Sequence, residues 1–178
     1  MGDLKKITIA ISSLPKNGWW NNGIVAYHDN DMMSNGAIPN QGLLNEEHKN
    51  LVKALEKHSL ETIIIPFKSE LEESKKYDFV FMRDHFLCNK NKNIVMCNMK
   101  LSERMNEGEY VISTLNDLQY RVSFLDEDCI AEGGEFFYLP NENILLAGQC
   151  RNNLKGAEQI AEKLNVSNLH IINSSGYH

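Results

Sequence analysis

The segment DCIAEGGEFFYL, residues 128–139, decides how the rest of this chain is interpreted. Its carboxylate at Glu132 is followed by two glycines, which let the backbone approach a ligand or another segment closely. The apolar and aromatic run after them has the composition of a β-strand. A carboxylate at the start of a strand is a common position for a binding group. Taken alone, however, the segment is better explained as a Gly-Gly turn with a solvated glutamate, and other parts of the chain have to favour a site.

The composition is that of one acidic domain. The 178 residues are 42% hydrophobic, which is enough for a single domain with a substantial core. Asp and Glu number 24 against 18 Lys and Arg, and no basic run is longer than a lysine pair. The net charge of -6 repels a phosphate backbone, so we predict no nucleic-acid partner and favour small cationic ligands.

Targeting and metal-binding patterns are not found in the sequence. No segment near the N-terminus has the order of a signal peptide, and no apolar run reaches membrane-spanning length, so we predict a cytoplasmic protein without a membrane partner. The cysteines show neither a C-x-x-C pair nor a paired histidine spacing. We therefore predict reduced thiols and no metal site.

The predicted elements follow a repeating order of strand, strand, helix and strand. The last unit consists of a hairpin, an amphipathic helix and a strand, at 135–139, 143–147, 154–164 and 168–172. The unit before it has the same order, at 77–82, 93–97, 106–118 and 120–124. The first part is compatible with a third unit, with a strand at 7–11, a helix at 45–58, a strand at 62–66 and a charged helix or loop at 68–76.

This order predicts an α/β repeat architecture in one domain spanning residues 1–178. We expect about three modules, with a long loop region at 13–45 that contains Trp19 and Trp20. Such modules bury their faces only against neighbours, so the array has to close or be capped. The chain ends at His178 with no further element after the last strand, which we interpret as an incomplete array.

Four chemically versatile side chains lie at or just beyond predicted strand ends. They are Asp84, Glu132, Arg151 and His178. A carboxylate accepts the forked N–H donors of a guanidinium, an arginine binds a carboxylate in the same way, and a histidine exchanges protons near neutral pH. Singly, each is more simply a surface charge, a helix-start residue or a frayed end. Their joint order in the chain favours a site.

The motifs around these residues resemble those of the guanidino-group-modifying superfamily. They are FMRD at 81–84, EGGE at 132–135, GQCR at 148–151 and GYH at 176–178. This superfamily includes arginine deiminases, dimethylarginine dimethylaminohydrolases and amidinotransferases. The resemblance extends from about residue 77 to the end and includes the segment from Asn98 through Arg104 to Glu109. It implies a pentein-like α/β propeller of ββαβ modules, here an incomplete ring, and it implies no cofactor.

The resemblance also implies roles for the site residues. Asp84 would bind the substrate guanidinium, and Glu132 would pair with the catalytic histidine and help to bind the substrate. His178 would be that histidine, a general acid for the departing amine and then a base for water. Arg151 would bind the carboxylate of the substrate.

The sequence departs from the family pattern in three respects. Glu135 stands where the family usually has aspartate, and two further family residues do not occur: a second guanidinium-binding aspartate soon after the histidine, and a nucleophilic cysteine near the C-terminus. Cys150, beside Arg151, is the least implausible substitute for the cysteine, although packing is its expected role. We predict a hydrolase of an arginine-like guanidino compound whose cysteine lies beyond this chain.

Three alternatives remain at this point. One is an amidinotransferase, in which an amine replaces water. A second is a catalytically inactive guanidinium-binding or partner-binding module, which would self-associate through its unclosed edge. The third is an ordinary α/β domain whose motif matches arise by chance.

Overall fold

The computed structural model describes residues 7–16, 35 and 38–173. Trp19, Trp20 and His178 lie outside the described residues. The contacts divide the chain into two compact units, Met1–Val80 and Phe81–His178, which are described separately below. The single domain expected from the sequence stays a prediction.

The first unit contains a parallel strand pair with a helix between the strands in sequence. Strand β1, Thr8–Ser12, pairs in parallel with β2, Glu61–Ile65. Helix α1 is Gln41–Lys57 and the short helix α2 is Ser69–Glu73. Both strands and the helical nature of the charged span at 68–76 agree with the sequence analysis.

The core of the first unit lies around three aromatic side chains. Phe67 packs against Phe79 edge to face, with ring centroids 5.7 Å apart, and stacks on Tyr77. Leu71 of α2 is fully buried in the same unit. The charged span therefore packs against the core through Leu71, while its charged side chains lie at the surface.

The predicted start of helix α1 was wrong, because the helix begins five residues earlier, with its cap at Asn40 and not at Asn45. The side chain of Asn40 caps the helix by accepting the N–H of Leu43 at 3.0 Å. The sequence analysis interpreted the Gln41-Gly42 pair as a turn signal and placed the cap at Asn45. A glycine in the first turn is tolerated when an asparagine precedes it as the cap. The loop region predicted for 13–45 consequently ends at residue 40.

The second unit contains two three-stranded sheets with the same connectivity. The elements of the first are β3, β4, α3 and β5, at Phe86–Cys88, Asn93–Met96, Glu109–Asp117 and Arg121–Phe124. Those of the second are β6, β7, α4 and β8, at Phe136–Leu139, Ile144–Gly148, Leu154–Leu164 and Asn168–Ile172. In each sheet the first two strands are antiparallel and the third is parallel to the second. The predicted strand-strand-helix-strand order is confirmed for the second sheet, and the first sheet has the same order with a different first strand from the one predicted.

The strand predicted at 77–82 was wrong. The backbone forms two 3-10 turns, Tyr77–Val80 and Met82–Asp84, and the first strand of the sheet starts only at Phe86. The run is rich in aromatic residues and looks like a strand, but the alternation of buried and partly exposed residues from Tyr77 to Val80 breaks at Phe81, which is exposed where a strand would bury it. Asp84 therefore precedes a strand instead of ending one. Glu132 likewise precedes β6.

Helix α4 provides much of the core of the second unit. Ala157, Ile160 and Leu164 on its inner face are fully buried or nearly so, and they belong to one cluster with Val95 and Leu145 from the two sheets. The side chain of its cap residue accepts N–H bonds from inside and outside the helix, as described below. The predicted bounds of this helix are confirmed to the residue.

Gly156 in α4 lies against a backbone carbonyl. A Cβ built there would be 2.1 Å from the carbonyl oxygen of Ile130. Alanine normally stabilises a helix relative to glycine by about 1 kcal/mol. Here the clash reverses the sign, and we expect Gly156→Ala to lower the free energy of unfolding by about 1–3 kcal/mol. Urea unfolding of the purified protein measures the difference.

The control is Gly42→Ala in α1, where the nearest atom to the built Cβ is the Asn40 Oδ1, at 3.3 Å. This variant should leave the free energy of unfolding unchanged or raise it by up to about 1 kcal/mol. A Gly156→Ala protein as stable as the unsubstituted one would show that the helix moves away from Ile130 without cost.

Among the helices in the described ranges, none combines the length and the hydrophobicity that a bilayer span needs.

Candidate active site

Two 3-10 turns meet at the candidate site, and two glycines allow their contact. One turn is Met82–Asp84 and the other is Gly133–Glu135. A Cβ on Gly133 would lie 2.1 Å from the carbonyl oxygen of Arg83, and one on Gly134 would lie 2.4 Å from Asp84 Oδ1. A larger side chain at Gly133 would clash with the backbone, and one at Gly134 would displace the carboxylate of Asp84. The glycines of the EGGE motif therefore bring Asp84 next to the segment that carries Glu132.

Glu132 is buried and its carboxylate has a donor on each oxygen. Its Oε1 accepts the backbone N–H of Lys100 at 2.9 Å, and its Oε2 lies 3.3 Å from Nη1 of Arg151. Its own N–H donates to Asn152 Oδ1 at 2.8 Å. The side chain of Glu132 is 3% exposed, whereas that of Arg151 is 25% exposed. Two of the predicted site residues thus form a direct ion pair.

The carboxylate of Asp84 forms an ion pair with a buried arginine, Arg104. Arg104 donates through Nη1 to Asp84 Oδ2 at 2.7 Å, and through Nε and Nη2 to Glu107 Oε2 at 3.0 Å. Burial acts to lower the pKa of Arg104, but the charges and hydrogen bonds of Glu107 and Asp84 outweigh it and raise that pKa above its ordinary value. Arg104 is therefore a permanent cation that fixes the orientation of the Asp84 carboxylate.

The carboxylate of Glu135 accepts hydrogen bonds from three successive backbone N–H groups. Its Oε1 accepts from Cys150 at 3.2 Å, and its Oε2 accepts from Arg151 at 2.7 Å and from Asn152 at 3.0 Å. The segment between β7 and α4 is thereby attached to the EGGE turn. Lys100 adds a further bond, from Nζ to the carbonyl oxygen of Cys150 at 2.8 Å. These contacts fix the backbone from which the Arg151 side chain extends.

The cap of α4 connects the same segment to the irregular stretch that precedes Glu132. Asn153 Oδ1 accepts the N–H groups of Gly156 at 2.7 Å and of Ile130 at 3.1 Å, and its Nδ2 donates to the carbonyl oxygen of Asp128. Helix capping and positioning of the stretch before Glu132 therefore depend on one side chain.

Cys97 lies near the carboxylates of Asp84 and Glu132, but its surroundings favour a buried, protonated thiol and not a nucleophile. It is buried, and burial raises the pKa of its thiol, with the negative charges of Asp84 and Glu132 adding to the effect. A protonated thiol is a poor nucleophile. Cys150, the substitute considered in the sequence analysis, is partly exposed, and its backbone groups bind Glu135 and Lys100.

One cluster in the described part of the chain has the spacing of metal ligands: Asp126, Asp128 and Cys129. Lys155 Nζ donates to both oxygens of Asp128 at 2.6 Å, which lowers the pKa of that carboxyl, and Gln159 donates to Asp126. Both carboxylates thus serve to attach α4, and we assign no metal to them.

The structure brings together three of the four residues expected from the sequence. Asp84, Glu132 and Arg151 belong to one connected set of contacts, and His178 lies outside the described residues. The sequence analysis named Glu135 only as a departure from the family pattern, and Arg104 and Glu109 only as parts of a family-like segment. It did not predict the contacts of Glu135 or the Arg104–Glu107 pair, although the i, i+3 spacing of that pair could have been recognised.

The arrangement can bind a small molecule that carries both a cation and an anion. The carboxylates of Asp84 and Glu132 can accept N–H donors of a guanidinium, although Arg151 occupies Glu132 Oε2 in this structure, and Arg151 has a guanidinium that can bind a carboxylate. The carboxylates are only slightly exposed, so contacts to them are less screened than on an open surface.

Comparison with protein families gives one match over most of the chain. The family model described as N,N dimethylarginine dimethylhydrolase, eukaryotic, matches residues 23–177. No curated protein sequence gives a significant match.

Several solved structures have a similar fold. The chain matches a citrulline complex of a mutant DDAH from Pseudomonas aeruginosa with a TM-score of 0.71 and 18% identity, covering 96% of this chain and 62% of that one. It matches the product-bound N-terminal domain of ArgZ, an arginine dihydrolase from the ornithine-ammonia cycle in Cyanobacteria, with a TM-score of 0.77 and 22% identity, covering 97% and 60%. For AgrE with ornithine and NAD+ the TM-score is 0.77 and the identity 21%, covering 97% and 24%.

These likenesses show a shared mixed α/β fold. The chain spans about three fifths of the DDAH and ArgZ chains and about a quarter of AgrE.

Proposed function

The chain belongs to the eukaryotic N,N dimethylarginine dimethylhydrolase family, within the guanidino-group-modifying pentein superfamily, and from this we propose that the natural protein hydrolyses an arginine-like guanidino compound. The family model covers residues 23–177. The DDAH and ArgZ structures with a similar fold were solved with citrulline and with a product, respectively. Both facts support a small guanidino substrate.

The observation that carries the proposal is the contact of Glu132 with Arg151 beside Asp84. Asp84 and Glu132 bind the substrate guanidinium, because both carboxylates are fixed by donors on their far side and are only slightly exposed. Arg151 binds the substrate carboxylate. His178 pairs with Glu132 and exchanges protons during the reaction.

The reaction requires a nucleophile and a water molecule. A cysteine thiolate attacks the guanidinium carbon, and ammonia or an alkylamine leaves with a proton from His178. Water, deprotonated by His178, then attacks the thiouronium carbon and releases the thiolate and a ureido product such as citrulline. We propose that this cysteine lies beyond the chain, which spans about three fifths of the DDAH and ArgZ chains. The raised pKa of Cys97 argues against that thiol.

Further proposals concern architecture and setting. We propose that the two ββαβ sheets of the second unit are modules of an incomplete α/β propeller, and that the chain contributes about three modules to one domain. The matching connectivity of the two sheets supports repetition. We also propose a cytoplasmic location and chemistry without a cofactor or a metal.

Two alternatives have weaker support. An amidinotransferase would use the same carboxylates with an amine in place of water, but the matching family is described as a hydrolase. A catalytically inactive module would bind guanidinium compounds or self-associate through the exposed β8, whose Ile171 and Ile172 face solvent.

The test is an assay of the full-length natural gene product with L-arginine, with methylated arginines and with agmatine. We expect a ureido product and one equivalent of amine from at least one of them, without an added amine acceptor. Product formation only with an acceptor would instead indicate amidinotransfer. No turnover of any of these compounds, together with an intact mass equal to the 20.3 kDa of this chain, would contradict the hydrolase and favour the inactive module.

A further inference from the structure

A guanidinium of the chain itself lies where the proposed function requires the guanidinium of the substrate. Arg151 Nη1 is 3.3 Å from Glu132 Oε2. The other oxygen of Glu132 already accepts the backbone N–H of Lys100. A substrate guanidinium that binds Glu132 through Oε2 therefore competes with Arg151 for the same acceptor.

The side chain of Arg151 can leave this acceptor while its backbone stays in place. Its N–H is bound by Glu135 at 2.7 Å, and the N–H groups on either side are bound by the same carboxylate. The side chain is 25% exposed, whereas that of Glu132 is 3% exposed. Of the two partners, Arg151 is therefore the one that moves.

We infer that ligand binding exchanges ion pairs: the ligand guanidinium takes the place of Arg151 on Glu132, and the released Arg151 binds the ligand carboxylate. This inference rests on the proposed function and extends it to selectivity. When a guanidino amino acid binds, Glu132 exchanges the guanidinium of Arg151 for that of the ligand, and Arg151 exchanges Glu132 for the carboxylate of the ligand. For a guanidine without a carboxylate, Arg151 loses its contact with Glu132 and the ligand offers no carboxylate in exchange, which costs binding free energy. The resting ion pair thus selects guanidino acids against simple alkylguanidines.

The exchange differs from simple anchoring in what happens when Arg151 is removed. If Arg151 only anchored the carboxylate, its loss would weaken L-arginine and leave n-butylguanidine unchanged. If it also competes for Glu132, its loss should make n-butylguanidine bind more tightly. A gain of affinity for the ligand without a carboxylate is therefore the diagnostic result.

The experiment is titration calorimetry of the natural protein and its Arg151→Met variant with L-arginine and n-butylguanidine, with the nucleophilic cysteine of the proposed reaction replaced by serine in both proteins so that no ligand is consumed. We expect L-arginine to bind at least about tenfold more weakly and n-butylguanidine about threefold to tenfold more tightly. Arg121→Met is the matched control, because it removes one positive charge from an exposed arginine whose side chain donates to the carbonyl oxygen of Asn91 and to no carboxylate within the part of the chain that the structure describes. It should alter neither affinity by more than about twofold.

Two further measurements keep the test decisive. n-Butylamine reports any general gain of cation binding, and an increase equal to that of n-butylguanidine would overturn the exchange. Arg151→Lys keeps the positive charge but lacks the forked N–H donors of a guanidinium. If the methionine variant does not fold, the lysine variant serves in its place, and we expect a smaller increase in its affinity for n-butylguanidine. Unchanged or weaker n-butylguanidine binding in the folded variant would also overturn it.

Failure of the exchange can be told from failure of the proposed function. A ureido product in the activity assay, with no gain of n-butylguanidine affinity, would leave the hydrolase standing and refute the exchange. A gain of affinity without any turnover would support the exchange in a binding protein and refute the hydrolase.

Discussion

Replacing Glu132 with glutamine is expected to lower the turnover of the guanidino substrate by about a thousandfold or more, while the protein remains folded. The amide is nearly the same size as the carboxylate, and its oxygen can still accept the N–H of Lys100. Its nitrogen, however, can only donate, and it would face the donors of Arg151 or of the substrate. The charge that binds the guanidinium and that pairs with His178 in the proposed reaction is lost.

The matched control for this variant is Glu142→Gln, in the exposed turn between β6 and β7. Steady-state assays of ureido product formation should give the control the activity of the unsubstituted protein. Thermal unfolding should show that both variants are folded. A Glu132→Gln protein with near-normal turnover would remove this residue from the site and with it the present assignment of the EGGE motif.

Replacing Arg104 with methionine is expected to lower the free energy of unfolding by about 3–5 kcal/mol. Arg104 is 2% exposed and is the cation between Asp84 and Glu107, and the side chain of Glu107 is fully buried. Methionine fills a similar volume but leaves two carboxylates without this partner in a region of low dielectric. Because Asp84 also loses its orientation, we expect a raised KM for the guanidino substrate in any variant protein that folds.

The control for the loss of a cation is again Arg121→Met, which should change the free energy of unfolding in urea by less than about 1 kcal/mol. Arg104→Lys should fall between the two, since one ammonium cannot reproduce the donors that Arg104 gives to two carboxylates. An Arg104→Met protein with undiminished stability would show that water or another group compensates the buried charges.

The sequence predicted best the elements that have local signals. Helix α4 and strand β8 have the predicted bounds, since the helix has an apolar stripe ending in Leu164 and a capping asparagine before Leu154. The run at 77–82 failed because its aromatic residues are typical of strands, while the two 3-10 turns that it forms depend on tertiary packing. The start of α1 failed because a glycine in a first turn looks like a turn signal.

The site was predictable as a set of residues but not as a set of contacts. The motifs indicated Asp84, Glu132 and Arg151, yet nothing local shows that Glu132 binds an arginine 19 positions away. The function of Glu135 was invisible for the same reason, because the backbone N–H groups that donate to it lie 15 to 17 positions along the chain. The requirement for glycine at position 133, where a side chain would clash with the carbonyl oxygen of Arg83, becomes evident only when the positions of the two turns are known.

The three N–H bonds that Glu135 accepts have a thermodynamic consequence for ligand recognition. The backbone of Cys150, Arg151 and Asn152 loses its conformational entropy when the protein folds, and not when a ligand arrives. The ordering cost of binding at this segment is then confined to the Arg151 side chain, about 0.5–1.5 kcal/mol for a side chain with many rotamers. At this segment the backbone is therefore ordered before a ligand binds, and only the Arg151 side chain has to become ordered on binding.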